Sequence, residues 1–274
     1  MGEILALEFM RRALAAGVIL STVLATISFF VVLRRFSFIG VGVSHSAFGG
    51  VALGALLGVS PTAVAIPFAV GVANAIGVVS RKGKIGIDAT IGIFFSLAMA
   101  LGIIFIGLSD QYNVDLFGYL FGSILAVTTG DLILTAVLGA VILGLTLVLF
   151  KEFLFVAFDE EVARASGLPV VLLDHLLLTM LALAVVMSIK VIGIVLVSAL
   201  LVIPGATALQ LTRRYGPAIV YSIVTGLVAT VGGLFLSYYA DLASGATIVT
   251  VASFIFFVAL LFGRFRRRAH APKS

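Results

Sequence analysis

The sequence predicts an all-α, polytopic membrane protein. We expect about nine membrane-embedded helices, a short helix on the surface between two of them, and a re-entrant or surface-lying helix. Three observations carry this reading. Only 11% of the 274 residues are charged, whereas 62% are hydrophobic. The charges fall in short clusters separated by apolar runs of about 20 residues, the length an α-helix needs to cross a hydrocarbon core. Those runs, such as 136–150, are apolar on every face and do not alternate as barrel strands do. A bilayer offers no water to backbone groups, so spanning segments are helices or a closed barrel; the pattern selects helices.

The spans fall at 13–33, 44–60, 61–80, 89–108, 132–150, 169–189, 191–212, 217–239 and 247–262. The first follows Arg11 and Arg12, but its apolar stretch is too long for a signal peptide, and Arg34–Arg35 close it like a stop-transfer signal. The second carries Gly50, Gly54 and Gly58 on one helix face, a stripe that lets helices approach closely. Packing within one chain and contact between two copies both fit it. Asp88 opens the fourth span, where the helix dipole favours a carboxylate. Residues 116–127 are also apolar, but a full crossing there would put Lys151 with the minority of basic residues, so a re-entrant or surface helix is expected. The segment 151–169 reads as a short amphipathic helix. Asp159 caps its start, Glu160 and Glu161 suit the positive end of the dipole, and Gly167 with Pro169 ends it.

In the sixth span Asp174 and His175 point about 100° apart, a poor joint ligand pair; structural or interfacial roles are expected. Lys190 reads as a turn residue. Pro204-Gly205 should kink or break the seventh span, as a hinge or as a static bend. Asp131 and Asp241 are expected near the outer surface, and His270 in a solvated tail. The longest weakly hydrophobic stretch, 151–167, is too short to bury a core of its own. The chain therefore reads as a single membrane domain over 1–274, with a cytoplasmic loop at about 151–168 and a basic cytoplasmic tail at 263–274.

With nine spans, 14 of the 17 Lys and Arg lie on one side; only Arg11, Arg12 and Lys190 lie opposite. The positive-inside rule makes the basic side cytoplasmic, with the N-terminus outside and the C-terminus inside a plasma or inner membrane. The net charge of +5 is thus a topology signal and does not point to nucleic acid. The absence of cysteine removes disulfides, thiolate metal sites and cysteine nucleophiles. There is no His-Glu-x-x-His motif, and the aspartates mostly fall at span ends, which argues against an intramembrane protease. No phosphate loop of the form Gly-x-x-x-x-Gly-Lys-Ser/Thr is present, so the chain does not bind ATP that way and is not expected to be an enzyme.

Two features point to transport. His45, between Ser44 and Ser46, is an ionisable group within a span; such groups are costly there and tend to be functional, although a hydrogen bond within a helix bend would also account for it. The run Phe158-Asp159-Glu160-Glu161-Val162-Ala163-Arg164-Ala165-Ser166-Gly167 suits a docking peg for a cytoplasmic partner, or a solvated loop. That run resembles the cytoplasmic coupling loop of ABC-3 family permeases, the membrane subunits of ATP-driven importers for zinc, manganese or iron. Other segments are similar to family signatures in the same order: Leu33-Arg34-Arg35-Phe36-Ser37-Phe38-Ile39-Gly40 with the Ser44–Gly54 run, the run from Asp88 to Ser96 followed by Ala100-Leu101-Gly102, the run from Ile192 to Thr207, and Asp241-Leu242-Ala243-Ser244-Gly245.

The resemblance implies a homodimeric permease with two ATP-binding-cassette subunits docked on the coupling residues Phe158, Asp159, Glu160, Glu161, Ala163, Arg164 and Gly167. An extracellular solute-binding protein would deliver the cargo, with ATP held by the partner and no cofactor on this chain. His45 would contact the metal ion, and Pro204 and Gly205 would serve as a hinge for alternating access. Many members carry Asp-x-x-x-His at the first signature, a ligand pair on one helix face suited to Zn²⁺ or Mn²⁺. Here the aspartate position is Val41. A metal chelate or another small solute is therefore the alternative cargo. An ATP-independent secondary transporter would leave the loop at 159–167 without a purpose.

Overall fold

The structure is a computed structural model that describes residues 8–109 and 128–269. All regular structure among them is helical: α1 Glu8–Leu33, α2 Ile39–Leu56, α3 Pro61–Gly83, α4 Ile87–Gly107, α5 Thr129–Val148, α6 Phe150–Phe158, α7 Glu160–Ala165, α8 Val170–Leu200, α9 Ile203–Leu211, α10 Tyr215–Ala240 and α11 Ser244–Ala269. They supply nine segments long and apolar enough to cross a membrane, among the described residues. The expected helix at 116–127 lies outside those residues.

Burial sorts the bundle into a centre and a periphery. α1, α2 and both apolar halves of 170–211 are mostly enclosed, whereas α3, α4, α5 and α11 bury one face and leave the other apolar and open. Exposed Ile93, Leu97, Ile103, Val137 and Phe254 belong on that outer face, where hydrocarbon replaces water as the solvent. Phe29, Phe30, Leu20, Leu24 and Ile27 make α1 the axis of the core. α10, α5, α8 and α9 pack around it, and α2 packs between α3, α4 and α8.

Two boundaries differ from the sequence reading. α2 begins at Ile39, not at 44, because Gly40 and Gly42 lie inside the helix where neighbours press closely. A Cβ at Gly42 would sit 2.6 Å from Ile91, and one at Gly40 would sit 2.9 Å from Leu201. The reversal between the sixth and seventh spans falls at Gly193 (φ 78°, ψ 162°), three residues beyond Lys190. Only glycine adopts that backbone without strain. The chain does turn back there. Asp174 lies beside Arg34 and Arg81 at the basic end, Ile189 and Ile194 line one small apolar cavity with Val51 and Thr62, and Leu201 returns to Gly40.

The glycine stripe on α2 serves packing within the chain. A Cβ at Gly50 would meet the Ala65 backbone at 2.7 Å, and one at Gly54 would meet Pro61 at 2.8 Å. Gly58 (φ 66°) ends the helix instead, with the Val59 amide donating to the Gly54 carbonyl at 3.0 Å. The break before α9 falls at Val202 (φ −125°, ψ −51°), which places Pro204 in the first turn, where its missing N–H is not needed. Gly205 then meets α1 directly: its amide donates to Ser28 Oγ at 2.9 Å, and a Cβ there would lie 2.5 Å from the Ser28 carbonyl oxygen.

The last contact sets a test. Gly205→Ala overpacks a backbone contact and should destabilise the bundle by about 1–3 kcal/mol, seen as a lower unfolding temperature in detergent. Gly92, with nothing within 4 Å of an added Cβ, should accept alanine without loss. Equal behaviour of the two variants would contradict the packing described.

Candidate functional site

The polar chemistry gathers at the basic end of the bundle, where the chain leaves α5 and re-enters at α8. Leu149 (φ −99°, ψ 19°) turns the chain out of α5, and α6 lies across the end of α1. Phe153 and Val156 point into the core, and Phe150 and Phe153 each lie edge-on to Phe30, with centroids 5.7 Å away. Asp159 is extended (φ −150°, ψ 98°), so the expected amphipathic segment is two helices with a break at this residue. Its carboxylate accepts from the Val162 amide at 3.0 Å and caps α7. Gly167 (φ 86°) closes α7, with its own amide bonded to Arg164 O and that of Leu168 bonded to Ala163 O.

These caps fix which side chains face in. Ala163 is fully buried. Glu160 leans inward beneath α7, while Glu161, Val162 and Arg164 point outward with the half-exposed Phe158. Phe158 also touches the first residue of α10, ring to ring with Tyr215 at 4.5 Å. The residues expected to act together therefore form one segment with two faces: an anchoring face of Glu160 and Ala163, and a presented face of Phe158, Glu161, Val162 and Arg164.

Beneath the anchoring face lies a group of charges that sequence reasoning did not assemble. Asp174, in the second turn of α8, accepts from Arg34 Nη2 at 2.6 Å and from Arg81. The side chains of Arg34 and Asp174 are each only 9% exposed, so they meet largely out of water. Arg34 ends α1 and also donates to the Val156 carbonyl of α6 at 2.9 Å; Arg81 lies in the last turn of α3. Both guanidinium groups suit the negative end of their helix dipoles. Glu160 stands 3.7 Å from Arg34 and 3.9 Å from Arg81, and it accepts a hydrogen bond from Arg164 at 2.8 Å. In the sequence Arg34 reads as a stop-transfer residue within the first signature and Arg81 as a marker of sidedness, and neither points to Asp174. Their meeting with Asp174 spans 140 and 93 residues of chain, a separation that leaves no local signal.

His45 occupies a different part of the bundle. From Ile39 to Ala52 every residue of α2 is buried except Val41 and His45, which lie one turn apart on the same face. The His45 ring packs edge-on to Phe95 of α4 at 5.0 Å. Its Nδ1 lies 2.9 Å from the Val41 carbonyl. A carbonyl can only accept, so Nδ1 carries a proton, and the tautomer that this hydrogen bond selects has its lone pair on Nε2. The hydrogen bond within the helix thus exists without a bend. His175, next to Asp174, is held likewise by the Asn74 side-chain oxygen at 2.7 Å, while the Asn74 amide nitrogen donates to Thr179 at 3.0 Å. This linkage of α8 to α3 fits the structural role expected of His175. Among the described residues no group of three or more His, Cys, Asp or Glu gathers as a ligand set.

Several other residues have local explanations. Asp131 and Thr128 form a capping box at the start of α5. Asp88 lies in the first turn of α4, while Gly86 holds the cap position. Asp241, left-handed at φ 51°, ends α10. Pro204 and Gly205 stay with α9 against α1, which also packs on α6.

A multi-pass helical bundle with a capped polar segment at one end, and an imidazole on an otherwise buried central helix, has the build of a membrane transport subunit. The chain belongs to the ABC 3 transport family, whose model matches residues 6–263. It is 38% identical to the manganese transport system membrane protein MntC of Listeria monocytogenes, over 93% of this chain and 91% of that protein. It is 31% identical to the high-affinity zinc uptake system membrane protein ZnuB of Haemophilus influenzae, over 92% of this chain and 97% of the relative. Its fold is similar to that of PsaBC from Streptococcus pneumoniae, solved in complex with a Fab, with a TM-score of 0.82 at 36% identity over 92% of this chain and 91% of that one.

The charge group gives a second test. Asp174→Ala leaves Arg34 without its carboxylate in a largely enclosed site and should cost about 3–5 kcal/mol. Exposed Glu161→Ala should stay within about 0.5 kcal/mol. Thermal unfolding of the purified protein separates the two. An Asp174→Ala variant as stable as the unaltered chain would show that these charges hold nothing together.

Proposed function

We propose that this chain is the permease subunit of an ATP-driven importer and that its cargo is a divalent transition-metal ion. The observation that carries the cargo reading is His45: its Nδ1 proton is committed to the Val41 carbonyl, which leaves Nε2 as a ready ligand on the single open face of α2. One imidazole holds an ion weakly, and a transporter needs contact that is readily released. Family membership and the manganese and zinc relatives support the same reading.

In this account the basic end faces the cytoplasm, with the N-terminus outside and the C-terminus inside. The presented face of Phe158, Glu161, Val162 and Arg164 receives a cytoplasmic ATP-binding-cassette subunit. Two permease copies and two such subunits make up the transporter, and an extracellular solute-binding protein delivers the ion. ATP is hydrolysed on the partner, and this chain supplies the path. The break at Val202–Pro204 is the hinge of alternating access. A second reading keeps the machinery and changes the cargo to a metal chelate; Val41, aliphatic where a carboxylate would strengthen a cation site, favours it.

His45→Ala should lower uptake of radiolabelled manganese or zinc by about tenfold or more, a loss comparable to that from disturbing a metal ligand's support. Assembly with the ATP-binding subunit should be unchanged. Unaltered uptake of both ions would remove His45 from the path. Uptake of chelated but not free metal would select the second reading.

A further inference from the structure

Glu160 stands among three arginines and is hydrogen-bonded to only one of them. Its Oε1 accepts from Arg164 at 2.8 Å, an i, i+4 pair on the surface of α7 whose arginine side chain is 61% exposed. Arg34 and Arg81 lie at 3.7 and 3.9 Å, within ion-pair range and beyond hydrogen-bond length. Those two guanidinium groups are occupied by Asp174, so each inner arginine faces two carboxylates, one bonded and one in waiting. The four groups belong to four elements: Arg34 ends α1, Arg81 ends α3, Asp174 lies on α8 and Glu160 on α7. A shift of α7 of less than about 1 Å would bring Glu160 into hydrogen-bond contact with Arg34 or Arg81. The backbone allows such a shift, since α7 is joined to α6 only through the extended Asp159 and to α8 through Gly167-Leu168-Pro169.

We propose that Glu160 is a positioning residue, a relay that passes movement of the docked ATP-binding subunit to α1, α3 and α8 by exchanging Arg164 for the inner pair Arg34 and Arg81. The inference rests on the permease reading given above and extends it to a residue on the inward face of the docking segment. Arg164 is the accessible arm. An acidic group on the docked subunit that engages it releases Glu160, which then competes with Asp174 for the two inner arginines. The contest is electrostatic and takes place in a partly enclosed site, where small displacements change pair energies far more than they do in water. Its output goes to the helices that flank α2, because α3 and α8 both pack on it. In this way the charge exchange reaches the helix that carries His45.

The test uses the full transporter, permease with its ATP-binding subunit and binding protein, reconstituted in proteoliposomes. It reads three quantities: subunit stoichiometry, ATP hydrolysis, and metal moved per ATP. Glu160→Gln keeps shape and removes the charge that is exchanged. Glu160→Ala removes the charge and the side-chain oxygens together and leaves Arg164 in place. Both should retain the ATP-binding subunit and hydrolyse ATP, while metal moved per ATP falls by about tenfold, a loss within the usual range of coupling between sites. A wild-type ratio of metal to ATP in either variant would overturn the relay. Loss of the ATP-binding subunit from Glu160→Gln would overturn it too, by making Glu160 a docking residue. Failure of the unaltered chain to recruit any ATP-hydrolysing subunit would instead remove the permease reading, and the relay with it.

Discussion

A hydrocarbon solvent tolerates neither bare backbone groups nor unpaired charge, and the rest of this structure follows from that constraint. Within the spans many polar side chains turn back on their own helices. Ser44 donates to the Gly40 carbonyl, Ser46 to Gly42, Thr146 to Ile142 and Ser188 to Ala184, each four residues back. His45 obeys the same rule through Nδ1 and is set apart only because a second ring nitrogen remains. Charged groups cannot be satisfied so cheaply. They are displaced to the helix ends, and at the basic end Arg34, Arg81, Arg164, Glu160 and Asp174 gather into one group.

That group explains how a short polar segment is seated at the end of a bundle whose core is mostly apolar. α6 is fastened by rings packed on Phe30, and α7 by Ala163 beneath it and by Glu160 among arginines. The outward side chains of the same segment, Phe158, Glu161, Val162 and Arg164, are exposed and are the proposed docking face. In the proposed account the segment, the charges below it, the helices α3 and α8, and α2, the helix that carries His45, form one path of contacts.

Much of this was legible in the sequence because the lipid imposes a strong and simple code. Run length and charge position located the nine spans, and the Asp159 cap and Gly167 stop were readable from residue type alone. The departures have physical causes. α2 starts early because Gly40 and Gly42 are close-approach residues and not helix breakers. The reversal falls at Gly193 because a positive φ suits glycine and not Lys190. The charge group was invisible because its members lie about one hundred residues apart, and a basic residue at a span end looks the same whether it meets water or a buried carboxylate. The segment 151–169 reads in the sequence as one short amphipathic helix; only burial separates the inward Glu160 and Ala163 from the outward Glu161 and Val162.

The central claim is that the presented face of α7 looks into the cell. The chain contains no cysteine, so Glu161→Cys introduces a single thiol at an exposed position. A membrane-impermeant maleimide should fail to label this thiol in intact cells and should label it in inside-out vesicles, with protection when the ATP-binding subunit is bound. Labelling from outside intact cells would contradict the orientation, and with it the docking surface and the path from that surface to His45.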